Sequence, residues 1–480
     1  MKYILTLIIF TLFIGAHAQQ WVDKKYNYDS TLNVVYGSAI NFNGGIDTLR
    51  MDIYRPVCDD ISQSAKRPLL VWIHGGAFLA GDKNDASITR LCKQFAKRGY
   101  VTVSLSYRLG FVSDDAAWSC NFPNYSCVFA ADSAEWIRAW YRGVQDAKGA
   151  LRYLANRNSQ LNIDINNVFV AGESAGALIA LGVGLMDTVV ERMPQTFAIS
   201  AVQNPNSNTA NCAHNVGKTF TTASVPRPDL GGIDGIIEPT TLSYTIKGIG
   251  NMYGAMFSNL LKNHKAGVSK PSIYSFHQPC DMVVPIDSGK VFAGLSWCMT
   301  NGYNCFGIAN TAKLYGSRTI SDLNTANTYG YAIHNEFTTI NFPYNFLFGA
   351  GSCADQVNNP CHGYDNSVLR ETNLATYFAP LITTTSVCQS TLNVNGINSL
   401  AEEKNWAVYP NPFNDNLYID VNHFDGGMVS ITDLVGRVVK TVVLKEQKTE
   451  LESLGVSKGI YYIRYSDAAG SVTTKKLIKQ

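Results

Sequence analysis

With 480 residues, 46% of them apolar and 16% charged, the chain carries enough apolar surface for a large core and more length than one average domain needs. A formal net charge of +2 gives no electrostatic case for a nucleic-acid partner. No apolar run after the N-terminal one approaches the length that spans a bilayer, so no transmembrane segment is expected.

In chain order, residues 1–18 combine one lysine, an apolar run from Tyr3 to Ile14, and Ala16-His17-Ala18 before Gln19. A short apolar core ending in small residues predicts a cleaved secretory signal, hence export. In an exported chain the eleven cysteines imply disulfides, and an odd count leaves one thiol free or shared with another chain. Cys92, within an apolar helical stripe, is the expected buried free thiol. Cys120 with Cys127, and Cys353 with Cys361, lie close enough to staple local loops, while Cys280, Cys298 and Cys305 are candidates to pin the segment around residue 281. No C-x-x-C pair or His-rich spacing argues for a metal.

Pro68 to Ile73 reads as a buried strand that ends in His74-Gly75-Gly76-Ala77-Phe78. Ile88, Leu91, Cys92 and Phe95 recur at helical spacing between Ser87 and Arg98, and Val101 to Leu105 reads as the next strand. Strands alternating with helices predict a mostly parallel sheet covered on both faces. The stretch 112–124, with Trp118, Phe122 and nearby Tyr125, is either a cleft-lining loop or a disulfide-braced surface excursion. Val144, Ala147, Leu151 and Leu154 then share one face of a long helix. From Val168 a β-branched and apolar run goes straight into Gly172-Glu173-Ser174-Ala175-Gly176 and on into small, apolar, helical residues. That strand-turn-helix setting gives a G-x-S-x-G motif its meaning. The serine sits on a sharp elbow, and the glycines remove Cβ atoms that would collide with the neighbouring strand and helix.

The elbow and the His-Gly-Gly loop, together with Met51-Asp52-Ile53-Tyr54-Arg55-Pro56 and Ser104-Leu105-Ser106-Tyr107-Arg108-Leu109-Gly110, make residues 45 to 385 resemble an α/β-hydrolase of the carboxylesterase and hormone-sensitive-lipase-like group. The resemblance implies a mostly parallel central sheet with helices on both faces. It implies Ser174 as nucleophile, the backbone N–H groups of Gly76, Ala77 and Ala175 as oxyanion donors, a cap within residues 203–270, and no cofactor. Ala77 stands where the family often has a third glycine, and Ala177 where a glycine often follows the elbow; a methyl group at 77 leaves its N–H in place.

In this family the acid and then the histidine follow the serine in the chain. Ser272 to Phe276 reads as a strand, and the turn Asp281-Met282-Val283-Val284-Pro285 beyond it resembles the family's acid loop; Asp281 is the expected acid and Asp287 the nearest alternative. Only His334, His362 and His423 come later. Residues 309–323 look helical, and Tyr329 to Ile340 looks like the last strand with His334 inside it. A base must come from the loop beyond the strand, which favours His362, ahead of a closing helix over 367–381.

After Cys388 the composition changes. Residues 389–404 read as a polar linker, and Trp406-Ala407-Val408-Tyr409-Pro410-Asn411-Pro412 opens a run of short alternating strands over 417–421, 428–432, 438–444, 460–465 and 471–478. The Tyr-Pro-Asn-Pro opening, Gly459-Ile460-Tyr461-Tyr462 and the basic Lys475-Lys476-Leu477 ending resemble the C-terminal sorting module of the type IX secretion system. The expected organisation is thus a signal at 1–18, a catalytic domain at 19–388, a linker at 389–404 and a small β-sandwich at 405–480. The expected activity is hydrolysis of a small or polysaccharide-linked ester through an acyl-enzyme, with the secretion machinery as partner. A serine peptidase or amidase, and a catalytically silent hydrolase fold used for adhesion, are the alternatives.

Overall fold

The computed structural model describes residues 20–57, 65–112, 132–203, 224–292, 311–338, 361–383, 406–414, 416–421, 427–433, 438–451, 455–467 and 472–480. The predicted signal, the linker, the aromatic stretch at Trp118 to Tyr125, and Cys120, Cys127, Cys298, Cys305 and Cys353 lie outside these residues. The chain divides into two compact units, Met1–Thr391 and Leu392–Gln480.

The first unit is built on one eight-stranded sheet: β1 (Asn27–Ile40), β2 (Ile46–Val57), β3 (Arg67–Ile73), β4 (Val101–Leu105), β5 (Ile163–Glu173), β6 (Ile246–Met252), β7 (Ser272–His277) and β8 (Ile333–Phe337). Their spatial order is β1-β2-β4-β3-β5-β6-β7-β8. The β1–β2 hairpin joins antiparallel, and everything from β4 to β8 is parallel. Helices α1 (Ala86–Ala96), α2 (Ser133–Asn156), α3 (Ala175–Leu185), α4 (Ser317–Ala326) and α5 (Ser367–Phe378) complete it.

The two-residue period of the strands sorts the core into two layers. Leu69, Val71 and Ile73 of β3 face the side of Trp140 and Val144 on α2 and Ile179 on α3, whereas Leu70 and Trp72 face Leu91 and Phe95 on α1 and Leu374 and Phe378 on α5. Every residue of β3 is buried, as expected for a strand covered on both faces. Cys92 is a buried free thiol in the α1 layer.

One strand was missed and three expectations need correction. β1 had no clear sequence signal: it is an edge strand, mostly exposed, and two register breaks spoil its alternation. The helical reading of 309–323 begins too early, because Lys313–Gly316 is a short strand and the helix runs from Ser317 to Ala326. The last strand is shorter than 329–340, spanning Ile333–Phe337.

The third concerns 203–270, expected as a cap. Residues 246–252 are instead β6, a central strand between β5 and β7. Its sequence, Ile-Lys-Gly-Ile-Gly-Asn-Met, hides this, since glycine is a poor strand former. Here the close packing requires it: a Cβ on Gly248 would lie 2.8 Å from the Phe378 ring and 2.9 Å from that of Phe169. The stretch before β6 covers the outer face of α2. Arg138 donates to the Pro228 carbonyl, Tyr141 to Gly231, Gln145 to Leu230 and Gly232, Lys148 to Asp234, and Arg152 to Ile237. These donors recur every three or four residues, a helical stripe that satisfies the backbone of an otherwise irregular strap.

The second unit is a β-sandwich. One sheet has the order β9 (Trp406–Tyr409), β10 (Leu417–Val421), β13 (Lys448–Leu451); the other has β12 (Val438–Leu444), β11 (Gly427–Thr432), β14 (Gly459–Asp467), β15 (Val472–Lys479). Trp406, Leu417, Ile419, Val429, Ile431, Ile463 and Leu477 fill the space between. Among the described residues no helix is long and apolar enough to cross a membrane.

Candidate active site

The site lies beyond the C-terminal ends of β5, β7 and β8, where a parallel sheet opens a crevice for ligands. At the end of β5 the chain turns through Ser174, whose φ of 54° and ψ of −123° place an L-residue in a costly region of backbone space. Close packing holds the turn. A Cβ on Gly176 would lie 2.1 Å from the Ile73 carbonyl oxygen, and one on Gly172 would lie 2.2 Å from the Gly176 backbone. The Ser174 N–H donates to the Met252 carbonyl at 3.0 Å, tying the elbow to the end of β6.

Two loops bring up the other candidates. Asp281 follows β7 and is buried; its Oδ1 accepts from the N–H groups of Val283 at 2.8 Å and Val284 at 3.0 Å. His362 lies in the turn before α5. Its Nδ1 is 2.7 Å from Asp281 Oδ2 and its Nε2 is 2.7 Å from Ser174 Oγ. The structure therefore joins Ser174, His362 and Asp281 in one hydrogen-bonded line. Asp287 instead pairs with Arg318 in the open. His334 lies on edge strand β8, half exposed, its ring packed against those of Tyr274 and Tyr377.

Burial pushes the Asp281 carboxyl up, but the His362 charge and the hydrogen bonds of His277 and His362 outweigh it and hold the group below its ordinary value. A carboxylate so held is a fixed acceptor for His362 Nδ1–H, which leaves Nε2 as the lone-pair nitrogen facing the serine.

Beyond β3, Gly76, Ala77 and Phe78 all have positive φ, the turn closing through Leu79 and Ala80 N–H groups on the Gly76 carbonyl. Strain of this kind at two non-glycine residues, Ala77 and Phe78, marks a backbone shaped for something other than stability. No backbone acceptor among the described residues takes the N–H of Gly76, Ala77 or Ala175. Ala77 and Ala175 line the same pocket as Ser174. The rest of that lining is apolar, including Phe78, Trp136, Leu178, Phe257, Val284 and Leu314.

Several residues at the site escaped the sequence reading. His277, fully buried at the end of β7, places Nε2 3.0 Å from the Val284 carbonyl and 3.2 Å from Asp281 Oδ2, with Nδ1 2.8 Å from Ser317 Oγ. Its only signal was the four-residue spacing to Asp281. The Tyr253 and His362 rings meet edge to face, 4.8 Å between centroids. Glu173, beside the nucleophile, accepts from Ser87 Oγ at 2.6 Å, and burial raises its carboxyl. The expected Cys353–Cys361 staple is corrected: Cys361 is bonded to Cys280. The local pairing looked favourable only because sequence distance was the one distance available.

Models of known families match three stretches: residues 51–123 match BD-FAE, 140–225 match the alpha/beta hydrolase fold, and 407–480 match the secretion system C-terminal sorting domain. Gut esterase 1 of Caenorhabditis elegans is 25% identical over 153 residues, 32% of this chain and 24% of that protein. Carboxylesterase 3B of Mus musculus is 30% identical over 133 residues, 28% of this chain and 20% of that one. Esterase LipI of Mycobacterium tuberculosis (strain ATCC 25618 / H37Rv) is 29% identical over 126 residues, 26% of this chain and 30% of its own length. The chain thus spans less than a third of the length of each of these relatives. A solved truncated carbohydrate esterase from gut microbiota superposes with a TM-score of 0.39 at 14% identity, over 75% of this chain and 98% of that one. Sheet order, strand-elbow-helix and matched segments define a chain of the α/β-hydrolase class. Parts of it are similar to carboxylesterases and lipases, and residues 407–480 match the secretion system C-terminal sorting domain.

Proposed function

We propose that the protein is an exported serine carboxylic-ester hydrolase. The observation that carries this reading is the line Asp281–His362–Ser174, with both links at 2.7 Å, ending at the mouth of an apolar pocket. His362 Nε2 takes the Ser174 proton as Oγ attacks the ester carbonyl. The developing oxyanion is met by the N–H groups of Gly76, Ala77 and Ala175, and Asp281 stabilises the imidazolium. The imidazolium then protonates the leaving alcohol, and water, activated by the same nitrogen, releases the acid and restores Ser174. Apart from Ser174 the pocket walls are aliphatic and aromatic, which suits an uncharged acyl group and penalises a carboxylate buried without a partner. Hydrolysis of a chain-length series of p-nitrophenyl esters tests this directly. Turnover of neutral acyl esters with little or none of a succinyl ester is the expected pattern, and no turnover of any member refutes the reading.

The sorting domain makes the secretion machinery the partner and delivers the enzyme, free or surface-attached, outside the cell. Removing residues 405–480 is expected to leave an active enzyme that accumulates in the periplasm, because the module is read by the transporter and Ser174, Asp281 and His362 all belong to the first unit. Assaying ester turnover in periplasm and medium checks it; normal release of the truncated chain overturns the sorting role.

A further inference from the structure

Asp281 and His362 stand on separate loops, and the residue before each of them is a cysteine. Those two cysteines are bonded to one another, Cys280 to Cys361, with their Cα atoms 5.7 Å apart. The disulfide and the Asp281–His362 hydrogen bond therefore span the same separation of 81 residues, one step apart along both loops. A hydrogen bond from Gln278 Nε2 to the Gly363 carbonyl at 2.8 Å crosses between the loops again, on the other side of His362.

We propose that the Cys280–Cys361 disulfide is the positioning element of the acid–base pair, so that the enzyme reaches full activity only once this bond has formed. The proposal rests on the ester-hydrolase reading above and extends it. His362 has two covalent anchors. Downstream it leads into α5, whose first turn is capped by the Asn366 side chain on the Leu369 N–H. Upstream, Cys361, the first described residue after Thr338, is tied to Cys280 by the disulfide. Cys361 has a φ of 59°, a conformation that an L-residue holds only when its surroundings impose it. With the disulfide present, Cys361 cannot leave Cys280. Cys280 in turn adjoins an aspartate fixed by two backbone N–H groups and by His277, so the base is referred to the most rigid part of the acid turn.

Reduction by a dithiol breaks the S–S bond. Two electrons and two protons pass to Cys280 and Cys361 as thiols, and the reductant becomes a cyclic disulfide. Neither thiol is a ligand or a nucleophile in the reaction, so any effect on rate acts through the placement of Asp281 and His362. Misplacing a base by about an ångström costs up to roughly a hundredfold in rate. The bond also fits the route of the chain, since a protein exported through the periplasm meets an oxidising compartment after synthesis in a reducing one.

The test uses the full-length chain. Oxidised wild-type protein is assayed first on a neutral p-nitrophenyl ester; failure there sinks the hydrolase reading and says nothing of the disulfide. If it is active, the Cys280→Ser/Cys361→Ser double variant is compared with it at a temperature well below the melting transition of both. The expected result is a kcat lower by on the order of tenfold to a hundredfold at similar KM, slower fluorophosphonate labelling of Ser174, and a displaced acidic limb of the pH–kcat/KM profile. A purely structural brace would lower the melting temperature and leave kcat and the pH profile alone, and that outcome overturns the proposal. Should the double variant fail to fold, folded wild type is reduced with dithiothreitol and re-oxidised with oxidised glutathione. Activity lost and regained in step with the Cys280–Cys361 bond, followed by peptide mapping, supports the proposal, while activity indifferent to that bond overturns it.

Discussion

Ser174→Ala is expected to abolish ester turnover, by roughly four orders of magnitude or more in kcat, while the protein folds normally. The size follows from the role: without Oγ there is no acyl-enzyme, and the oxyanion donors alone retain only the residual catalysis of binding. Normal folding follows from the geometry. The strain at φ 54° belongs to any residue with a Cβ, so alanine is no worse than serine, and the hydroxyl's one described partner is His362. Losing that hydrogen bond costs about 1 kcal/mol. The check is a purified variant with wild-type circular dichroism and an ester assay. Turnover within tenfold of wild type removes Ser174 from the mechanism.

The second large effect separates two histidines. His362→Ala is expected to eliminate fluorophosphonate labelling of Ser174, because the hydroxyl then has no base within reach. His334→Ala is expected to preserve labelling. Its half-exposed ring stacks on Tyr274 and Tyr377 with centroids 5.6 and 5.4 Å away, and losing that contact costs about 1 kcal/mol. The same pair of variants carries a pH signature. Asp281 is held below its ordinary value in the folded protein, so it contributes stability above its unfolded value and loses it as pH falls through the folded one. His362→Ala removes the largest of the influences that lower Asp281, so its stability is expected to fall less steeply on acidification than that of wild type. Melting temperatures across the acid range measure this. Labelling lost in His334→Ala and kept in His362→Ala would reverse the assignment.

What could be read from the chain, and what could not, divides by the range of the interaction. The elbow was legible because a strained turn leaves its demand in adjacent letters: β-branched residues before it, small ones after it, and glycines at 172 and 176 where a Cβ would strike the neighbouring strand or helix. β3, β4 and α1 were legible because uniform burial or a helical stripe is a local pattern. Ser174, Asp281 and His362, singled out for their places at strand ends and beyond them, are the residues the structure joins through His362, with 2.7 Å at each link.

Tertiary structure alone decided the rest. β6 looks like a loop until Phe169 and Phe378 are seen pressing on Gly248 from neighbouring elements. The polar stripe of α2 looks solvent-facing until the strap over 228–238 is laid across it. Cys361 is bonded to Cys280, 81 residues away, although a nearer cysteine was available. His277 acquires its place only when β7 delivers it, buried, beneath the acid turn. In each case the deciding contact joins residues far apart in the chain. Local sequence records what a residue does to its own backbone, whereas such contacts are set by where the sheet places the strands.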